Sequence, residues 1–199
     1  KRGLKLRWSF RGRATNMDGL DLASRAGCVR LHLGVETGTQ AGLDALKKGV
    51  SIEDIQACIS KARKHGIMTA TYFMLGTPFE RSREDVQLTI DFAKKLDPDY
   101  AMFNVMALYP GTEVFSQAVE SGLVASDSWQ SYVERPKKNY TIPVWDEHLT
   151  REELFSFLDI AYRSFYLRPR VIWRNLVATS SLDELLRKAR AAISMILGK

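Results

Sequence analysis

Three glycine-bearing turns carry the residues of this chain best suited to chemistry, and the first two of them hold a carboxylate. Leu33-Gly34-Val35-Glu36-Thr37 ends in Glu36, which could accept hydrogen bonds from hydroxyls, while Gly34 leaves room for a bulky group. Phe73-Met74-Leu75-Gly76-Thr77-Pro78-Phe79-Glu80 puts a glycine where a backbone can approach a ligand closely. Tyr109-Pro110-Gly111-Thr112 repeats the arrangement. Each also has an ordinary reading. Glu36 could cap a helix starting at Gln40, Gly76-Thr77-Pro78 could be a tight turn, Glu80 could serve the helix start before Ser82, and Arg13 could be surface charge. The two cysteines, Cys28 and Cys58, have no metal or redox spacing and are expected as packed thiols. An aldolase or lyase would need a lysine or metal ligand at a strand end, and none stands there.

The elements that must position these turns are legible from periodicity. Leu31, Leu33 and Val35 alternate with Arg30, His32, Gly34 and Glu36, the period of a strand with two different faces. Further strands are expected over 4–10, 67–75 and 100–108. Helices are expected over 18–26 (capped by Asn16 or Asp18), 40–48, from Ser51-Ile52-Glu53-Asp54 to His65, from Ser82 to Asp97-Pro98, and over 113–121. Strand alternating with helix predicts an α/β fold with a parallel sheet and right-handed crossovers. The loops 11–13, 36–39, 76–80 and 107–112 then share the carboxyl edge, where such folds bind ligands. Residues 1–122 are read as this barrel-like unit. Residues 123–199 are read as a mostly helical extension, with an irregular aromatic stretch from Trp129 to Trp145 and helices opened by Thr150-Arg151-Glu152-Glu153 and Ser181-Leu182-Asp183-Glu184.

With 199 residues, 45% of them apolar, the chain can build a real core, and it has no apolar run of membrane-spanning length. Without a signal-like segment, a cytoplasmic location is expected. The absence of an initiator Met suggests a piece of something longer. The net charge of +6 suits anionic partners, and much of it lies in Arg135-Pro136-Lys137-Lys138 and Arg168-Pro169-Arg170. No aromatic-plus-basic stripe accompanies these runs, so solvated surface is favoured over nucleic-acid binding.

Taken in order, Leu33-Gly34-Val35-Glu36-Thr37, Gly66-Ile67 leading to the turn at Gly76, and Asp97-Pro98-Asp99-Tyr100 leading to Tyr109-Pro110-Gly111-Thr112 resemble the radical S-adenosylmethionine (SAM) family. Their spacing from residue 4 to about 122 is similar to strands three to six of that family's partial (β/α)6 barrel. Residues 161–169 resemble the helical tail of its cobalamin-associated branch. The resemblance implies that Glu36, beside Gly34, contacts the ribose or methionyl part of SAM. It implies that Leu75 and Gly76 lie against the adenine, and that Ala107 and Leu108 offer backbone and apolar contact to the same ring. It further implies SAM and a [4Fe–4S] cluster in a full-length parent, a small-molecule substrate, and cobalamin if an upstream domain carries it. The family's Cys-x-x-x-Cys-x-x-Cys motif is not in these 199 residues. The expectation is therefore a fragment that is inactive alone, with no catalytic residue or metal ligand of its own. A degenerate homologue, or a regulatory module binding RNA through the basic C-terminal region, is the alternative. Strand 4–10 would be an open edge, inviting a homodimer, coverage by segment 123–146, or marginal solubility.

Overall fold

The computed structural model describes residues 5–15, 17–136, 140–179 and 181–197. Four parallel strands, β1 (Trp8–Gly12), β2 (Cys28–Glu36), β3 (Met68–Leu75) and β4 (Tyr100–Val105), form one sheet in that order. The helices are α1 (Leu20–Arg25), α2 (Gln40–Ala45), α3 (Ile52–Lys64), α4 (Arg83–Leu96), α5 (Glu113–Glu120), α6 (Ser128–Glu134), α7 (Arg151–Tyr166), α8 (Pro169–Val177) and α9 (Leu182–Leu197). This is the expected α/β architecture of successive βα units.

Alternation sorts the sheet into two faces. Leu31, Leu33, Val35, Phe73, Leu75, Ala101 and Phe103 are almost fully buried and pack with α3, α4 and α7 residues such as Ile55, Ile59, Val86, Ile90, Leu154 and Phe165. The other face carries Arg30, His32, Gly34, Tyr72, Tyr100 and Met102, all half-buried or exposed. Capping boxes at Ser51/Asp54 and Thr150/Glu153 start α3 and α7 as their spacing predicts, and the cap expected at Ser82 is likewise a box, closed by Asp85, at the start of α4.

Several boundaries differ from expectation. The first strand begins at Trp8 and includes Arg11 and Gly12, because pairing with Leu31, His32 and Leu33 of β2 fixes its register. Residue 4 lies outside the described residues, as does Asn16. Asp18 does not cap α1, whose N-cap Gly19 has no side-chain bond; Asp18 instead pairs with Lys61 at 3.1 Å. The stretch read as irregular contains α6, and Arg168-Pro169 starts α8 rather than merely breaking a helix, since proline fits the first helical position. The described residues of segment 123–146 pack away from β1. They close over the end of β4, where Ala107 bridges Val144 and the Leu108 N–H donates to Pro143 O at 2.9 Å.

The outer edge of β4 is sealed by two tyrosines of α7. The Tyr162 hydroxyl donates to Phe103 O at 3.0 Å and accepts from Phe103 N at 3.2 Å; Tyr166 does the same for Ala101 at 2.9 and 3.2 Å. Four residues of helix rise ~6 Å and two residues of strand ~6.6 Å, so hydroxyls at i and i+4 match alternate strand residues. Burial pushes the Tyr166 phenol up to about 12, keeping its proton. Tyr162→Phe should cost about 1–2 kcal/mol by leaving the Phe103 N–H and C=O without this partner. Urea unfolding measures the loss, and sedimentation reports whether the reopened edge self-associates.

Candidate functional site

The carboxyl edge of the sheet is built from its exit loops, two of which carry the carboxylates of Glu36 and Glu80. At the end of β2 the pairing register slips between Gly34 and Glu36, and Glu36 takes a left-handed backbone at φ 72°. A bulge of this kind re-aims a side chain, and left-handed backbone is costly for a residue with a Cβ. Its carboxylate is turned back over Gly34: a Cβ at that position would lie 2.3 Å from Glu36 Oε1. Lys48 Nζ holds the same oxygen at 3.1 Å, and both side chains are about four-fifths buried, with 19% and 20% exposure. Glu36 does not cap the following helix. Thr39 does, accepting from Gly42 N.

The β3 exit is fixed by Glu80, not by Ser82. The buried Glu80 carboxylate accepts from Gly76 N at 2.8 Å, Thr77 N at 3.1 Å and the Thr89 hydroxyl at 3.0 Å. Thr89 Oγ1 in turn accepts from Gly38 N at 3.2 Å, so one side chain and its neighbour fasten the exits of β2 and β3 to α4. Burial pushes the Glu80 carboxyl above the usual range, opposed by these donors. The helix-start role expected for Glu80 belongs to Asp85, which accepts from Ser82 N. Gly76 sits at φ +73°, and a Cβ there would meet Leu154 of α7 at 2.8 Å.

The structure thus brings Gly34 and Glu36 into contact and adds Lys48 to them. Leu75 lies on the same edge, but its side chain is in the core and its carbonyl accepts from Met106 N at 2.8 Å. Ala107 is half-buried, just past β4. Leu108 beside it is buried with Met106, Phe115 and Trp145; besides its N–H, its C=O is engaged, by Trp129 Nε1 at 2.7 Å. Lys48, 12 residues after Glu36, had no local signal. Arg13 is exposed. Lys137 and Lys138 of the basic run lie outside the described residues. Cys28 opens β2 at its amino end and Cys58 lies on α3; both are buried free thiols, and burial pushes Cys58 up to about 11. Among the described residues no three His, Cys, Asp or Glu side chains cluster as a metal site, and no helix is long and apolar enough to cross a membrane.

The Radical SAM superfamily model matches residues 1–93. The chain is 33% identical over 178 residues to an uncharacterised methyltransferase of Pyrococcus horikoshii, covering 87% of this chain and 37% of that protein. It is 27% identical over 184 residues to the anaerobic magnesium-protoporphyrin IX monomethyl ester cyclase of Cereibacter sphaeroides, covering 87% and 29%. The chain therefore spans about a third of these relatives. Among solved structures it matches the radical SAM methyltransferase TsrM of Kitasatospora setae, determined with cobalamin and a [4Fe–4S] cluster bound, at TM-score 0.53 and 25% identity over 58% of this chain and 22% of that one. Escherichia coli coproporphyrinogen III oxidase, at TM-score 0.57 and 18% identity over 81% and 32%, shares the fold. Residues 1–93, which hold β1 to β3 and the turns at Glu36 and Gly76, match the radical SAM superfamily.

Proposed function

We propose that this chain forms the SAM-holding and substrate-facing wall of a radical SAM enzyme, of the kind that works with cobalamin. The observation that carries the reading is Glu36, kept in left-handed backbone at a bulge and aimed over a glycine at the carboxyl edge. Strain of this sort is concentrated at ligand sites.

The residues of this edge fit SAM. Glu36 can accept from ribose hydroxyls or the methionyl ammonium, with Lys48 holding the carboxylate in place. Gly76 and Ala107 present backbone to a flat ring, and Leu108 contributes through the packing beneath it. The Trp145 indole N–H, buried in the Leu108 cluster, has no acceptor among the described residues, which suits an added heteroatom ring. SAM, when bound, supplies the reactive carbon centre; these residues bind it, orient it and keep water from it. The chain's thiols do not fit a [4Fe–4S] cluster, which needs several thiolates together. Cys28 and Cys58 lie away from the carboxyl edge and Cys58 stays protonated. A second copy would find its surface at the outer edge of β1.

The test is anaerobic iron–sulfur reconstitution of the 199-residue chain, followed by reductant and SAM. A colourless protein that forms no 5′-deoxyadenosine is expected. A brown protein with cluster absorption, or deoxyadenosine formation, would overturn the assignment.

A further inference from the structure

The face of the sheet opposite the core carries positive charge that, among the described residues, no carboxylate balances. Register places Arg11 of β1 beside His32 of β2, with Arg30 two residues below. At a strand spacing of ~4.8 Å and ~6.6 Å for two residues, Arg11 and Arg30 are diagonal neighbours about 8 Å apart at Cα. The Arg11 guanidinium lies 5.9 Å from the centre of the Tyr72 ring and that of Arg30 4.7 Å from Tyr100. Ala70, in register between His32 and Tyr100, is small enough to let Arg30 reach across. His32 Nδ1 and the Tyr72 hydroxyl are hydrogen-bonded at 2.8 Å between the two arginines.

Neither arginine has an acidic partner among the described residues, and Arg30 Nε is buried with no acceptor. The acid further along this face, Glu36, stands four residues beyond His32, about 13 Å along the strand, and is taken by Lys48. The uncompensated field is felt by His32, whose pKa is lowered by burial and then by Arg30 and Arg11. Elsewhere the chain neutralises clustered arginines: Arg63, Arg168, Arg170 and Arg174 all surround Asp97. Aromatic faces hold the Arg11 and Arg30 planes while leaving their N–H edges free, the arrangement that recognises planar oxyanions.

We propose that this face binds an oxyanion, the carboxylate or phosphate of the enzyme's small-molecule substrate, between Arg11 and Arg30 beside the His32–Tyr72 pair. The proposal rests on the reading of this face as the wall of the substrate chamber.

The experiment is an NMR titration of the 199-residue chain with labelled histidine, using sodium succinate in one arm and inorganic phosphate in the other, at ionic strength fixed with sodium chloride. A saturable shift of the His32 imidazole in either arm is expected, and the tighter arm names the group. Arg11→Gln and Arg30→Gln should each weaken binding about tenfold, one charge-assisted contact's worth. A linear response in both arms, or affinity unchanged in the variants, overturns the proposal. Arg11 lies on the edge strand and is exposed, so its variant decides the matter if Arg30→Gln does not fold. Shifts of the Glu36 and Gly76 amides on adding SAM to the same protein test the cofactor wall separately. Saturable anion binding without them would uphold this site and sink the wall; the reverse would sink only this site.

Discussion

Glu80→Ala is expected to destabilise the chain by about 3–5 kcal/mol in urea unfolding, because one substitution strands several buried groups at once. The Gly76 and Thr77 N–H groups and the Thr89 hydroxyl all lose their acceptor in a site that water does not reach. The gap left by the side chain adds to the loss. Glu80→Gln keeps one acceptor oxygen for the two backbone donors and should recover most of the stability. Wild type also separates from both variants on pH. Burial raises the folded-state carboxyl above its unfolded value, so the folded chain holds the proton longer. The protonated group's contribution is full below the unfolded pKa and is lost as pH rises through the raised one. Wild type should therefore lose stability across that window on going from acid towards neutral pH, and Glu80→Gln should lose that slope.

Asp97→Ala should cost about 3–4 kcal/mol, with α8 losing hydrogen-exchange protection before the sheet does. Asp97 ends α4 in left-handed backbone at φ 47°, and its side chain, 11% exposed, faces Arg168 at 3.1 Å, Arg170 at 3.4 Å and Arg174 at 3.5 Å. These arginines also satisfy the end of α4: Arg168 donates to Lys94 O at 2.7 Å and Arg174 to Pro98 O at 2.7 Å. Removing the carboxylate leaves the three arginines of α8 and its N-cap crowded against the end of α4 without the charge that holds them there. Asparagine tolerates left-handed backbone, so Asp97→Asn loses the charge without the conformational cost. The difference between the two variants isolates that cost, expected at about 1 kcal/mol. Because Arg168 and Arg174 are about a quarter exposed, added salt should shrink the Asp97→Asn effect.

What was legible in the sequence was what is local. The alternation of β2, the capping boxes at Ser51 and Thr150, the cap at Ser82, and the glycine turns on one edge all depend on residues a few positions apart. The misread features depend on distant partners. Glu80 stands two residues before a helix cap, yet its work is set by Thr89 and, through it, by Gly38. Lys48 reaches Glu36 only because α2 turns the chain back over the β2 bulge. Arg11-Gly12 looks like a loop by composition and is strand because β2 pairs with it. Tyr162 and Tyr166 announce a helix face at i and i+4, but nothing local says that the face meets an open strand edge. The anion-attracting surface was hidden for the same reason: Arg11, Arg30, His32 and Tyr72 become neighbours only across three strands.

On the proposed reading, the carboxyl edge of this sheet is a SAM wall centred on Glu36. Backbone amide shifts of the 199-residue chain on titration with SAM test it most directly. Saturable shifts at Gly34, Glu36, Gly76 and Ala107 that vanish in Glu36→Ala are expected. Shifts confined to other surfaces, or an undiminished response in Glu36→Ala, would contradict it.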